Sequence, residues 1–191
     1  MITESKVTEI FGIADDFCKE FEVEMAKNSL PSSPDAPKRR RKRIMSDAEV
    51  ITILICFHFN TYRNFKHYYL SCVCGQWKHL FPRRFSYNRF VEVMPRCFVT
   101  LTMFLRLACF GECSGISFVD STCIPVIHNR RQFNMKVFKG IAAKGKSTMG
   151  WYVGFKLHLL CNEKGELVNF VLTRANVDDR EVSVIDTLTD K

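Results

Sequence analysis

The chain has 191 residues, of which 47% are hydrophobic and nine are cysteines, and it carries a formal net charge of +8. That is enough apolar material for one domain or two small ones and excludes wholesale disorder. Polar residues such as His58 and Arg106 interrupt every apolar stretch before the roughly 20 residues that a membrane span needs. The cysteines are odd in number and scattered singly through apolar segments (Cys56, Cys97, Cys109, Cys161), which reads as reduced thiols rather than a disulfide framework. The first residues include Thr3, Glu4 and Lys6 instead of an apolar signal core, so a cytoplasmic protein is expected. A basic excess fits a polyanionic partner, through release of counterions from phosphate, and equally fits a soluble protein that happens to be basic.

From about Thr3 to Lys27, Val7, Ile10, Phe11, Ala14, Phe17, Cys18 and Phe21 recur at three- and four-residue steps, the pattern of an amphipathic helix. Prolines 31, 34 and 37 then mark a linker over about 28–37. Next comes an unbroken basic run, Lys38, Arg39, Arg40, Arg41, Lys42 and Arg43, suited to an arm on DNA phosphates. Ser46 with Glu49 fits a capping box that opens a largely buried helix through Val50 to Phe59. A further helix is expected over Asn64 to Cys74. Another starts at Ser86 and runs to about Cys109, kinked or divided at Pro95. Helices in this region could form a helix-turn-helix, with Ser86-Tyr87-Asn88-Arg89 opening the recognition helix, although packing alone gives the same apolar pattern.

Beyond Gly111 the period changes. Ile116, Phe118 and Val119 form a short β-prone run that ends at Asp120, and Trp151, Val153, Phe155, Leu157 and Leu159 alternate as a strand. A turn at Asn162-Glu163-Lys164-Gly165 leads to a second strand over Leu167 to Thr173, giving an antiparallel hairpin. Asp178, with Glu181 three positions on, is expected to cap a helix from Asp179 to about Leu188.

Three constellations bear on chemistry. Gly140 to Ser147 satisfies the spacing of a nucleotide-binding P-loop, which needs a helix directly after it to aim backbone amides at phosphates; a strand is expected there instead. Between Asp120 and Glu163 there is no acid, while Arg130, Arg131, Lys136, Lys139, Lys144, Lys146 and Lys156 are all basic. Such a segment suits a loop that follows a phosphate backbone, with Trp151 and Tyr152 available for stacking, and also suits a plain solvated loop. Asp120 follows an apolar strand. It reads either as a metal-binding carboxylate or as a turn residue bonded to Ser121 or Thr122. Cys72 and Cys74, with His79, Cys109 and Cys113, lack the spacing of a paired zinc knuckle.

Five blocks occur in order: Ser117-Phe118-Val119-Asp120-Ser121-Thr122, His128-Asn129-Arg130-Arg131, Lys136-Val137-Phe138-Lys139-Gly140, Gly150 to His158, and Asn176-Val177-Asp178-Asp179-Arg180. Over Ser117 to Arg180 the chain resembles the transposases of bacterial insertion sequences with a DDE, RNase H-like catalytic domain. The resemblance implies a first strand ending in a catalytic Asp, two further antiparallel strands, a helix, a second Asp ending a fourth strand, and a Glu on a later helix. Asp120 matches the first position. The residues that would carry the second Asp and the Glu are not found before Lys191. Asp178 and Asp179 are alternatives for a second metal ligand, although their place at the start of a helix is the better explanation of both.

The resulting expectation is an α+β protein: a helical, basic DNA-binding region over 1–113, followed over 114–191 by an incomplete RNase H-like α/β domain. By resemblance it is a bacterial, nucleoid-associated transposase fragment, acting with Mg2+ at Asp120 and forming a homo-oligomer on DNA ends, with no membrane partner. The alternatives are a catalytically inactive DNA-binding remnant and, from the Gly140 to Ser147 spacing, a P-loop NTPase. An incomplete sheet also predicts exposed edges and apolar surface, hence poor solubility or self-association.

Overall fold

The computed structural model describes residues 2–28, 43–113, 115–134 and 136–189. They divide into two compact units, Met1–Ala108 and Cys109–Lys191. Among the described residues no helix is long and apolar enough to cross a membrane.

The first unit is helical. Helix α1 (Glu4–Lys27) starts where the Thr3 hydroxyl accepts from the Lys6 amide, and buries Val7, Ile10, Ala14 and Cys18, one stripe of the expected pattern. Helix α2 (Asp47–His58) opens with a complete capping box. The Ser46 hydroxyl accepts from the Glu49 amide at 3.1 Å and the Glu49 carboxylate accepts from the Ser46 amide at 2.7 Å. Asn64 caps α3 (Phe65–Tyr68), which continues as a π-helical stretch over Tyr69–Gln76. Ser86 caps α4 (Tyr87–Val93). At Pro95 the helix tightens into a 3-10 turn (Met94–Cys97) before α5 (Phe98–Phe104), the division that proline's missing N–H imposes. The core is aromatic: Tyr68, Tyr69 and Phe90 are fully buried, with Trp77 and Phe81 beside them. Each buried tyrosine hydroxyl donates to a backbone carbonyl, Tyr68 to Ile53 and Tyr69 to Phe85.

The second unit is an antiparallel sheet with one helix. Strand β1 (Ser117–Ile127) pairs with β3 (Gly150–Asn162) on one edge; β2 (Ala143–Ser147) and β4 (Leu167–Arg174) pair with β3 on the other. Asp120 lies well inside β1. The strand continues through Ile127, with a bulge between Pro125 and Ile127, because the β-branched and apolar run Thr122, Cys123, Ile124 keeps its register against β3. The β2 strand was not expected. It forms a hairpin with β3 across Thr148 and Met149, with Gly150 at φ 116°, a conformation that a side chain would strain.

Alternation along β3 divides the sheet into two faces. Even-numbered residues Tyr152, Lys156, His158, Leu160 and Asn162 are buried. Helix α6 (Val182–Thr189) lies on that side, with Val184 and Leu188 packed against Leu160 and Val171. Odd-numbered residues Phe155, Leu157, Leu159 and Cys161 are only partly covered. The helix begins three residues later than expected, since Asp178 instead closes a turn by accepting from the Arg180 amide at 2.9 Å.

Candidate functional site

In register, Asp120 stands opposite Leu159 on the odd-numbered face of the sheet. Its side chain is exposed, and its Oδ1 accepts from the Ser121 amide at 2.8 Å. An exposed carboxylate stays hydrated and needs no buried partner. Asp120 is the only acidic residue in the four strands.

Asp179 sits on the opposite, even-numbered side. Its carboxylate is 3.2 Å from Lys156 Nζ and 3.4 Å from His158 Nδ1, and the Ser121 hydroxyl donates to it. Ser121, Lys156 and His158 share that face because they are cross-strand or alternate neighbours in β1 and β3. Lys156 Nζ also donates to the Val177 carbonyl at 2.9 Å, and His158 Nε2 is 2.8 Å from the Thr173 hydroxyl. Burial pushes the Asp179 carboxyl up, but the Ser121 hydroxyl, Lys156 and His158 outweigh it and hold the group below the usual carboxylate range. For His158, burial dominates and lowers its pKa despite the nearby Asp179 charge. The imidazole is therefore neutral near pH 7.

These positions separate the two acids that sequence reasoning considered together. Asp120 and Asp179 occupy opposite faces of one sheet, so they do not converge on one ion. Asp178 is spent on the turn before α6. Among the described residues no group of three or more His, Cys, Asp or Glu side chains is placed to hold a metal ion. A lone carboxylate does not fit a two-ion phosphodiester centre, which needs several converging on the cations.

The basic residues fall into three groups. Lys38, Arg39, Arg40, Arg41 and Lys42 lie outside the described residues; Arg43 is described and pairs with Asp47 at 2.7 Å. Arg130, Arg131, Lys136, Lys139, Lys144 and Lys146 are all exposed. Lys156 departs from the expectation of a DNA contact: its side chain is buried and tied to Asp179 and Val177. Tyr152 is likewise buried and not available for stacking, whereas Trp151 is exposed.

Tertiary contacts bring the lysines among these exposed groups to the face that carries Asp120. Arg174 donates to the Gly140 carbonyl at 2.9 Å and Phe138 packs edge-on against Phe155 at 5.6 Å, which fixes the loop bearing Lys136 and Lys139 there. Lys144 and Lys146 pair with Val153 and Trp151 on the same side.

The P-loop spacing has a different cause. Ala143–Ser147 is a strand, not the mouth of a helix. A Cβ on Gly145 would stand 2.0 Å from the Ala175 carbonyl oxygen, so this glycine permits a close backbone approach. The cysteines form no disulfide. Burial raises the thiol of Cys18 and of Cys56 to about 11 and that of Cys97 to about 12. They are inert packing residues at neutral pH.

Residues 110–191 match the family model described as Transposase DDE domain. The match begins within two residues of the second structural unit and runs to its end. It supports a DDE transposase, a class whose substrate is DNA and whose chemistry depends in general on a divalent metal. The α+β architecture is compatible with part of such a domain. No curated protein and no solved structure matches the chain.

Proposed function

We propose that this chain is a DNA-binding transposase polypeptide of the insertion-sequence type, and that it engages DNA on the odd-numbered face of its sheet. The observation that carries the reading is the sorting of charge within the matched domain. Asp120 is the only strand carboxylate, and Lys136, Lys139, Lys144 and Lys146 are exposed on the face it occupies. Leu159, opposite Asp120, is eight residues along β3 from Trp151. That is about 27 Å at the usual strand rise, roughly eight base steps of duplex. A phosphate backbone along this face would meet cations at one end and a carboxylate at the other.

Asp120 would be one ligand of the magnesium site that cleavage requires, a site that the described residues do not complete. The first helical unit and the basic run ending at Arg43 add further phosphate contacts, and two copies pair on the element ends. A second reading, DNA binding without cleavage, is favoured by the absence, among the described residues, of any other carboxylate in the four strands.

Nicking of supercoiled plasmid carrying candidate element ends, with magnesium or manganese, separates the two. Metal-dependent nicking that Asp120→Ala abolishes supports the enzyme. Salt-sensitive binding with no nicking supports the binding protein. Absence of DNA binding even at low salt overturns both.

A further inference from the structure

The β2–β3 hairpin ends in an arrangement that packing does not explain. Trp151 is 57% exposed. Its cross-strand partner is Lys146, and the ammonium groups of Lys144 and Lys146 lie 5.1 and 5.9 Å from the centre of its ring. Indole is normally placed where its large apolar surface is removed from water. Here it is presented to water with cations beside it.

The surroundings hold the indole's backbone in place. Asn129 donates its side-chain amide to the Trp151 carbonyl, which fastens the 3-10 turn Asn129–Asn134, bearing the exposed Arg130 and Arg131, to this end of β3. At the turn the Ser147 hydroxyl donates to the Gly150 carbonyl at 3.2 Å and accepts from the Met149 amide at 3.2 Å. No acidic residue occurs between Asp120 and Glu163, so the cations here have no carboxylate supplied by their own segment.

We infer that this hairpin is a docking site for an unpaired nucleotide of DNA, its base stacked on Trp151 and its flanking phosphates held by Lys144 and Lys146. The inference rests on the DNA-binding reading above and adds the form of DNA recognised. Inside a duplex both faces of each base are covered by neighbours, and an indole flanked by phosphate-binding lysines has access only to an unpaired base, in a single strand or out of the stack. The ring attracts the ammonium groups through its quadrupole while it is empty, which keeps them close to where the phosphates of a stacked nucleotide would lie. Stacking tolerates any base, so the site selects unpaired structure rather than sequence.

The test compares the full chain with Trp151→Ala, Trp151→Phe and the Lys144→Ala/Lys146→Ala pair. Each is titrated against a blunt duplex and against the same duplex with a single-stranded extension, with circular dichroism as the folding control. The expected result is about a tenfold preference for the extended DNA, lost in Trp151→Ala and largely kept in Trp151→Phe, with blunt-duplex affinity unchanged by either. The lysine pair should weaken both DNAs and reduce the salt slope by about two. Should Trp151→Ala misfold, fluorescence of the unsubstituted chain supplies the readout. Trp77 is only 3% exposed, so quenching specific to the extended DNA reports Trp151. A preference that survives Trp151→Ala, or duplex binding with no preference and no quenching, overturns this inference alone. Failure to bind either DNA overturns the DNA-binding reading with it.

Discussion

The two units of the molecule invest their apolar residues differently. In Met1–Ala108, aromatic side chains from α2, α3, the π-helical stretch and α4 close on one another from several directions, and Tyr68, Tyr69 and Phe90 have no exposed surface. In Cys109–Lys191 the sheet has α6 on its even-numbered face alone, where Leu160, Val184 and Leu188 form a small cluster. Its other face leaves Phe118, Ile124, Trp151 and Leu172 exposed. Every exposed cation assigned to DNA in the second unit belongs to that unit's loops and hairpin. The residues proposed to meet DNA therefore sit on the more thinly built part, whose buried side depends on a polar network as much as on apolar contact.

The largest effect expected from this contrast is in the helical unit. Phe90→Ala removes a fully buried ring packed against those of Phe65 and Tyr69, and should lower stability by about 3–5 kcal/mol in urea or thermal unfolding. Retention of wild-type stability would show that the aromatic core carries little of the fold. In the sheet unit Gly145→Ala must push the backbone away from Ala175, at a cost of about 1–3 kcal/mol. Hydrogen exchange should show this loss in residues 109–191, and unchanged protection of β2 would contradict the close approach.

Acid sensitivity distinguishes the units further. The pKa of His158 is lowered in the folded state, so the unfolded chain binds the extra proton. Its contribution is complete above about pH 6.5 and is lost as pH falls below that value. Asp179 is lowered as well, and its contribution disappears at still lower pH, through its folded pKa. The sheet unit is thus expected to loosen first on mild acidification, followed by hydrogen exchange between pH 7 and 5. His158→Gln should remove that first step; an unchanged profile would show that another group controls it. The smallest effect is expected at Ser46→Ala, which breaks the capping box of α2 and should cost about 1 kcal/mol in the helical unit.

How far these features could be read beforehand varied with the range of the interaction. The cap at Ser46, the stripe of α1 and the break at Pro95 are local, and the sequence carried each of them plainly. The alternation from Trp151 likewise announced β3. The β2 strand was hidden because Ala143, Lys144, Gly145 and Lys146 have little strand propensity, and it exists through pairing with β3 and contact with Ala175. Asp179 reads from sequence as the first residue of a helix capped by Asp178, because capping is a local signal, whereas its partners Ser121, Lys156 and His158 come from β1 and β3.

By itself, the sequence determined the change from helix to sheet beyond Gly111, the acid-free basic segment and the ordered blocks around Asp120, since periodicity and composition are properties of the chain. Only the tertiary structure decided which residues share a face. Cross-strand register put Asp120 and Asp179 on opposite sides of the sheet, withdrew Lys156 into an ion pair, and left Trp151 exposed between lysines. Register depends on contacts between residues far apart in the chain, and a shift of one residue would have reversed every one of those assignments.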